Sequence, residues 1–344
     1  MKKDIKAFSF TELENEINEM ALPKFRARQI FEWLHKFGVK SFGEMTNISK
    51  TLRETLSENY EILNCEIEKK LTSKIDGTVK YLFRLNDGEF IESVIMKYKH
   101  GFTICVSSQV GCKMGCRFCA STLGGCKRNL SASEIEGQIH TAEHDLGVRI
   151  SHVVMMGIGE PLDNFNNVVR FLHNVNSEMG LNISMRNITV STCGIVPKIY
   201  DLMALQLPIT LTVSLHAPNN EIRSAMMPVN DRWGVEELIP ACREYANKTG
   251  RRVSFEYTLI KGVNDTGQCA DELSHLLSNM LCHVNLIPVN AVKECKNERT
   301  TQRDVEAFLA LLKRNKINAT IRRTLGADIN ASCGQLRRKN EVKK

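Results

Sequence analysis

Residues 101–119 read GFTICVSSQVGCKMGCRFC, an apolar run that ends in Cys112, Cys116 and Cys119. Three thiolates at CxxxCxxC spacing can ligate three corners of an iron-sulfur cube and leave the fourth iron open. An open iron can hold the amino and carboxylate groups of S-adenosylmethionine and feed an electron into its sulfonium, whereas a cluster with four cysteine ligands usually only carries electrons. The spacing therefore predicts a 4Fe-4S cluster and radical chemistry. A structural zinc site is the rival reading, with Cys126 as a fourth sulfur. Zinc sites usually come as two close pairs, and Cys126 lies beyond the flexible stretch STLGG, so ligand count and spacing favour the cluster. Three inert buried thiols are the plainest alternative.

Downstream of this loop, apolar strands alternate with amphipathic helices. FTICVSS, HVVMMG, ITVST, ITLTVSL, VSFEYTLI and HVNLIPV are the strands, and a Ser131-Ala-Ser-Glu134 capping box opens the first helix. Repeated strand-helix units demand parallel pairing. About six units are too few for a closed eightfold barrel but enough for an open one, so the expected class is α/β with a partial (βα)6 barrel; a doubly wound sheet is the competing architecture. Both gather catalytic groups at the carboxyl ends of their strands.

Upstream, residues 1–60 read as a small helical module. Thr11 can cap TELENEINEM, and FRARQIFEWLHKFG places Phe25, Ile30, Trp33, Leu34 and Phe37 on a stripe that Gly38 ends. Residues 61–99 alternate with period two, with Asp76-Gly77 and Asp87-Gly88 as hairpin turns between strands such as VKYLFRL and FIESVIM. The barrel then occupies 100–330, and 331–344 form a carboxyl-terminal segment with a basic tail. Across all 344 residues there is ample apolar material for a core, and no run approaches the roughly twenty residues of a membrane helix. Because the start MKKDIKAFSF lacks the apolar segment of a signal peptide, the expected location is the cytoplasm, and the expected use of the twelve cysteines is metal binding or catalysis rather than a disulfide framework. The net charge of +7 gathers in LPKFRAR, Lys127-Arg128, Arg322-Arg323 and the tail LRRKNEVKK, patches that attract phosphates. Solvated charged faces are the plainer reading of each.

Polar residues recur where the apolar strands stop. Gly157-Ile-Gly159-Glu160-Pro161 follows HVVMM; its glycines let a ligand approach the backbone, and Glu160 can accept from an ammonium group. The stretch is a poor dinucleotide fingerprint, because the third glycine is missing and a carboxylate repels pyrophosphate. Ser191, then Ser214 and His216, and Asn290 end later strands. Capping, turn or satisfied core roles are the alternatives. Cys105 enters the cluster loop, and Cys333 sits among small neighbours in GADINASCGQL, where a ligand can come close. Glu92 shares a strand face with Phe90, Val94 and Met96, a setting in which a partly desolvated carboxylate can act as a base; an edge charge that blocks pairing is the alternative.

Taken together, CVSSQVGCKMGCRFC, MGIGEPLDN, STCGIVP, SLHAPNN, NLIPVN and GADINASCGQL resemble the RlmN/Cfr family of radical S-adenosylmethionine methyltransferases, and LPKFRARQIFEWLHKFGVKSFGEMTN is similar to that family's amino-terminal module. The resemblance spans nearly the whole chain. It implies methylation of carbon 2 of an adenosine in 23S rRNA at the peptidyl-transferase centre, and of the adenosine following the anticodon in some tRNAs; the carbon 8 branch is the alternative, and a metal-stabilised RNA-binding protein without catalysis is the alternative of another class. It assigns Cys112, Cys116 and Cys119 to the 4Fe-4S cluster, and Gly159, Glu160, Ser191, Ser214, Leu215, His216 and Asn290 to S-adenosylmethionine, used twice per turnover. Cys333 matches the cysteine that is first methylated and then, after a 5'-deoxyadenosyl radical removes hydrogen from that methyl, bonds to the RNA. Cys105 matches the cysteine that resolves this adduct, and Glu92 the proton acceptor. Cys126 lies outside the pattern. The implied partners are RNA and an external electron donor such as flavodoxin or ferredoxin, with the chain acting as a monomer away from membranes.

Overall fold

The computed structural model describes residues 2–336 apart from 291, 293, 295 and 296. The basic tail 337–344 lies outside the described residues. Among those described, no helix is long and apolar enough to cross a membrane.

The amino-terminal segment forms strand β1 (Lys3–Asp4), helices α1 (Phe10–Glu19), α2 (Phe25–His35) and α3 (Lys50–Asn59), and strand β2 (Tyr60–Glu61), which pairs in parallel with β1. Ser9, not Thr11, caps α1: its hydroxyl accepts from Glu12 N–H while the Glu12 carboxylate accepts from Ser9 N–H. The S-x-x-E box begins two residues earlier than the apolar pattern suggested. On α2 the expected stripe divides into two rows. Ala27, Ile30, Phe31 and Leu34 face a core of their own with Ile5, Leu13, Ile17 and Leu56, whereas Phe25 and Phe37 are 55% and 48% exposed. Phe25 lies on the opposite i, i+4 row, and Phe37 lies past the helix end at His35.

This module docks onto the first barrel helix, α4 (Ala132–Leu146), through buried polar groups. His35 Nδ1 lies 2.8 Å from Glu136 Oε2, and His140 Nε2 lies 2.9 Å from Oε1. Burial opposes the charge of Glu136, but the His35 charge and hydrogen bonds from both rings hold its carboxyl well below the usual range.

The chain then builds β3 (Glu66–Thr72), β4 (Val79–Arg84), β5 (Phe90–Tyr98) and β6 (Gly101–Cys105), an antiparallel meander turned at Gly77 and Gly88, both with positive φ. A short antiparallel hairpin of β7 (Gln109–Gly111) and β8 (Cys126–Asn129) brackets the cysteine loop. After α4 come β9 (Ile150–Met155), α5 (Phe165–Asn176), β10 (Ile188–Thr192), α6 (Val196–Ala204), β11 (Thr210–Ser214), α7 (Asn220–Met226), α8 (Val235–Thr249), β12 (Val253–Leu259), α9 (Gly267–Leu276), β13 (Cys282–Pro288), α10 (Gln302–Arg314) and β14 (Ala319–Ile321).

One ten-stranded sheet results, in the order β14-β13-β12-β11-β10-β9-β6-β5-β4-β3, with β6 and β9 through β14 parallel. Each parallel strand lies beside its predecessor with no reversal. A doubly wound sheet reverses at a switch point and a barrel does not, so the order selects the barrel. Six units, from β6–α4 to β13–α10, give the expected (βα)6 count. Strand β14 adds a seventh parallel strand that the sequence pattern did not show, because three residues carry no readable period. The barrel stays open, with β3 and β14 as its two edges. The strands β9 to β13 bury Val153, Val190, Leu211, Val213, Phe255 and Leu286 in the main core, which leaves their carboxyl ends to carry the polar groups.

Candidate active site

The cysteine loop closes over the carboxyl ends of the strands. Cys112, Cys116 and Cys119 border one chamber together with Glu160, Ser191, Ser214, His216, Asn290 and Cys333. Its empty space is roughly 950 Å³ including the open mouth, within the range usual for small-molecule sites. Burial pushes Cys112 up to about 12 and raises Cys116 and Cys119 as well, and the neighbouring thiols push Cys116 further. Three thiols that disfavour each other's charge fit a metal core whose positive charge reverses that preference. Among the described residues no three His, Cys, Asp or Glu side chains converge on a single ion. Cys126 does not line the chamber; its strand pairs with Gly111, and its thiol donates to Arg128 O. The three loop cysteines thus share one chamber, and Cys126 stands outside its lining.

The GIGEP turn joins β9 to this loop by close backbone approach. A Cβ on Gly157 would lie 2.6 Å from Val106 O, and one on Gly159, whose φ is +108°, would lie 2.7 Å from Gln109 Cβ. Protein, not ligand alone, fills the space these glycines leave. Glu160 is buried, and Cys193 N–H and Leu162 N–H donate to its two oxygens at 2.7 and 3.0 Å. Burial raises its pKa against those bonds. The carboxylate therefore faces the chamber already oriented, with lone pairs left for an ammonium group.

Of the SLH triplet, Ser214 and His216 reach the chamber and Leu215 does not. Leu215 is fully buried in the core, its N–H donates to Glu256 O and its carbonyl accepts from Arg223. His216 stands at φ +57°, a left-handed conformation uncommon outside glycine. Thr258 N–H donates to its Nδ1 at 2.9 Å, which fixes the proton on Nε2, and burial pushes the imidazole down to about 3. It is thus a neutral donor, set edge-on against Phe118 of the cluster loop at 4.8 Å.

Cys333 borders a second chamber as well, with Cys105, Val94, Met96, Tyr98, Arg322 and Leu336 among its walls. Its carbonyl accepts from Asn290 Nδ2 at 3.0 Å. On either side the segment is pinned: Gly334 O accepts from Ala120 N–H, Leu336 O from Ser121 Oγ and Asn330 O from Lys80 Nζ. The thiol itself is exposed, whereas Cys105 is buried and its thiol is pushed up to about 12 by that burial. Glu92 lines neither chamber. It is buried two residues from Val94 on the same strand face, 3.1 Å from Lys80 Nζ, so Lys80 links it to the Cys333 segment.

Several lining residues went unread in the sequence. Cys193 and Thr192 follow Ser191 at the end of β10, where the rule of polar strand ends already applied. Arg322, read as part of a phosphate-attracting patch, instead lies in the second chamber's wall and donates to Glu256 Oε2 at 2.9 Å. It directly follows β14, so its placement was hidden with that strand.

An open α/β barrel with a three-cysteine loop over its strand ends defines the radical S-adenosylmethionine class. Residues 106–270 match the family model of the radical SAM superfamily, and residues 3–62 match that of the ribosomal RNA large subunit methyltransferase N-terminal domain. A relative in Lachnoclostridium phytofermentans, described as "probable dual-specificity RNA methyltransferase RlmN", is 53% identical over 98% of this chain and 95% of its own. One of the same description in Alkaliphilus oremlandii is 54% identical over 98% of both chains. The crystal structure of a radical SAM methyltransferase from Sphaerobacter thermophilus superposes with a TM-score of 0.93 at 41% identity, covering 97% of this chain and 99% of that one. The chain belongs to the RlmN family of radical SAM methyltransferases, whose cofactors are a 4Fe-4S cluster and S-adenosylmethionine.

Proposed function

We propose that this chain methylates carbon 2 of an adenosine in 23S rRNA and of the adenosine following the anticodon in tRNA, in the cytoplasm, with electrons from a flavodoxin or ferredoxin. One observation carries the reading: Cys333 borders both chambers, so a single sulfur can receive a group on the cofactor side and deliver it on the other. The relatives' description as dual-specificity RNA methyltransferases supports the two substrates.

Carbon 2 of adenine lies between two ring nitrogens and is electron-poor, so it does not attack an electrophilic methyl. Cys333 solves this by acting first as the nucleophile: its thiolate takes the sulfonium methyl, S-adenosylhomocysteine leaves, and the cysteine becomes a thioether. Cys112, Cys116 and Cys119 would hold the cluster, and Glu160, Ser191, Ser214, His216, Asn290 and the Gly159 backbone the coenzyme. When bound, this pair supplies a one-electron cleavage and an organic radical. The methyl on Cys333 then loses a hydrogen atom to that radical, its carbon bonds to the electron-poor ring carbon, and the unpaired electron of the adduct would pass back to the cluster, leaving protein joined to RNA. The family pattern gives the carbon 2 proton to Glu92, which lies outside both chambers beside Lys80; the Cys105 thiolate then attacks the sulfur of Cys333, the carbon leaves with the bonding pair and takes up a proton as the new methyl, and a disulfide remains. Two electrons from the external donor restore both thiols.

Incubation of reconstituted enzyme with an rRNA fragment, followed by digestion and mass spectrometry of the nucleosides, tests this directly. The expected product is 2-methyladenosine. An 8-methyladenosine product would move the chain to the other branch, and a cluster-loaded enzyme that leaves RNA unmodified would overturn the proposal.

A further inference from the structure

Arg223, on α7, is the largest fully buried side chain among the described residues. The carboxyl end of α7 braces the cysteine loop, since Met226 O accepts from Arg117 N–H at 3.0 Å. Its guanidinium is completely used. Nε donates to Leu215 O at 3.2 Å; one terminal nitrogen donates to Asn230 Oδ1 at 2.8 Å and Trp233 O at 3.4 Å; the other donates to Cys193 O at 2.6 Å and Ser214 O at 3.4 Å.

Every one of these acceptors is neutral. A guanidinium does not shed its proton, so a full positive charge stands in the interior without a carboxylate, an arrangement that disfavours folding unless negative charge compensates nearby. Among the described residues, the thiols that act on its charge are Cys193 and Cys116, which border the first chamber, and Cys242. Cys112, Cys116, Cys119, Cys193 and Glu160 all border that space, and its lining has no lysine or arginine. Cys193 ties the two together, with its carbonyl on Arg223 and its N–H on Glu160.

We propose that Arg223 is the counter-cation of the cluster and a positioning residue for the coenzyme. The proposal rests on the assignment of the cluster to the three loop cysteines. A cubane held by three thiolates is anionic and grows more so on gaining an electron, so a fixed positive charge behind Cys193 favours the reduced form. The same fork binds the ends of β10 and β11 to each other, which sets Ser191 and Ser214 at a fixed separation across the chamber.

The test is a redox titration of the anaerobically reconstituted holoenzyme, followed by electron paramagnetic resonance of the reduced cluster, with S-adenosylmethionine binding measured separately. Arg223→Gln removes the charge. At the wild-type midpoint its ratio of reduced to oxidised cluster is expected to fall about tenfold, equivalent to about 59 mV for one electron. Arg223→Lys keeps the charge and loses the fork, so its midpoint should stay at the wild-type value while coenzyme binding weakens several-fold. A Gln variant with the wild-type midpoint overturns the proposal. If the Gln variant assembles no cluster, the Lys variant decides: an unchanged midpoint supports the proposal, and a tenfold fall in the ratio overturns it. Wild-type protein without a cubane signal would break the cluster assignment itself, a failure distinct from a cubane that ignores residue 223.

Discussion

The two chambers that meet at Cys333 are built in different ways. The first is walled mainly by short stretches at the strand ends: the cysteine loop after β6, GIGEP after β9, Ser191 to Cys193 closing β10, Ser214 and His216 closing β11, Thr258 of β12 and Asn290 after β13, with Cys333 and Gly334 added from the carboxyl-terminal segment. The second takes its walls from β5, β6, β9, the residues after β14 and the carboxyl-terminal segment. The first is thus a set of local motifs brought together by the repeating fold, whereas the second depends on where three distant parts of the chain land. A repeated unit places its strand ends by rule, but nothing local tells where residues 322–336 cross the barrel mouth.

The largest effect should separate cofactor from substrate chemistry. Cys116→Ala is expected to drop iron and the visible absorption of the cluster to background after anaerobic reconstitution, with no 5'-deoxyadenosine formed. Cys126→Ala should keep both, because its thiol lies outside the first chamber. Equal loss of iron in the two variants would return the four-sulfur reading.

Glu92 sharpens the boundary from the other side. Glu92→Gln should leave cluster content and coenzyme cleavage unchanged while slowing release of methylated RNA by about 10²- to 10⁴-fold, the usual worth of a general base. The protein-RNA adduct should accumulate on a denaturing gel. Unchanged release kinetics would reduce Glu92 to a structural partner of Lys80, with which it pairs at 3.1 Å.

The smallest effect concerns His216 and stability. Burial holds its folded pKa at about 3, below the ordinary imidazole value, so the folded protein binds fewer protons than the unfolded chain. Its contribution is present above about pH 6.5 and is lost as the pH falls toward 3, at about 1 kcal/mol per pH unit. Thermal unfolding of cluster-free protein between pH 7 and about 4 checks this. His216→Asn, which tolerates the left-handed backbone, should give a flatter profile than the wild type. Parallel profiles would mean that His216 is not the group responsible.

Much of the first chamber was legible because its signals are short-range. Three thiols within eight residues, a carboxylate after two glycines and polar groups at strand ends each need only a few consecutive residues to be read. Leu215 marks the limit of that reading. The family resemblance, not the polar strand ends, placed it with Ser214 and His216, and its side chain faces the core with both its main-chain groups bonded within the protein. Arg322 marks another: a basic pair looks like solvated surface until β14 and Glu256 are known to hold it in a cavity wall. Arg223 left no local trace, since its importance lies in burial against neutral acceptors, a property of the folded chain alone. The choice between a barrel and a doubly wound sheet was hidden for the same reason, because strand order is a relation among distant segments.

The shared sulfur is the centre of the account, and trapping it is the most direct test. Cys105→Ala, incubated with S-adenosylmethionine, reductant and an rRNA fragment, should stall with RNA covalently held, and tandem mass spectrometry of the digested complex should place the link on Cys333. Cys333→Ala should form neither adduct nor product. Free methylated RNA from the Cys333→Ala protein, or a link at any other residue in the Cys105→Ala complex, would contradict it.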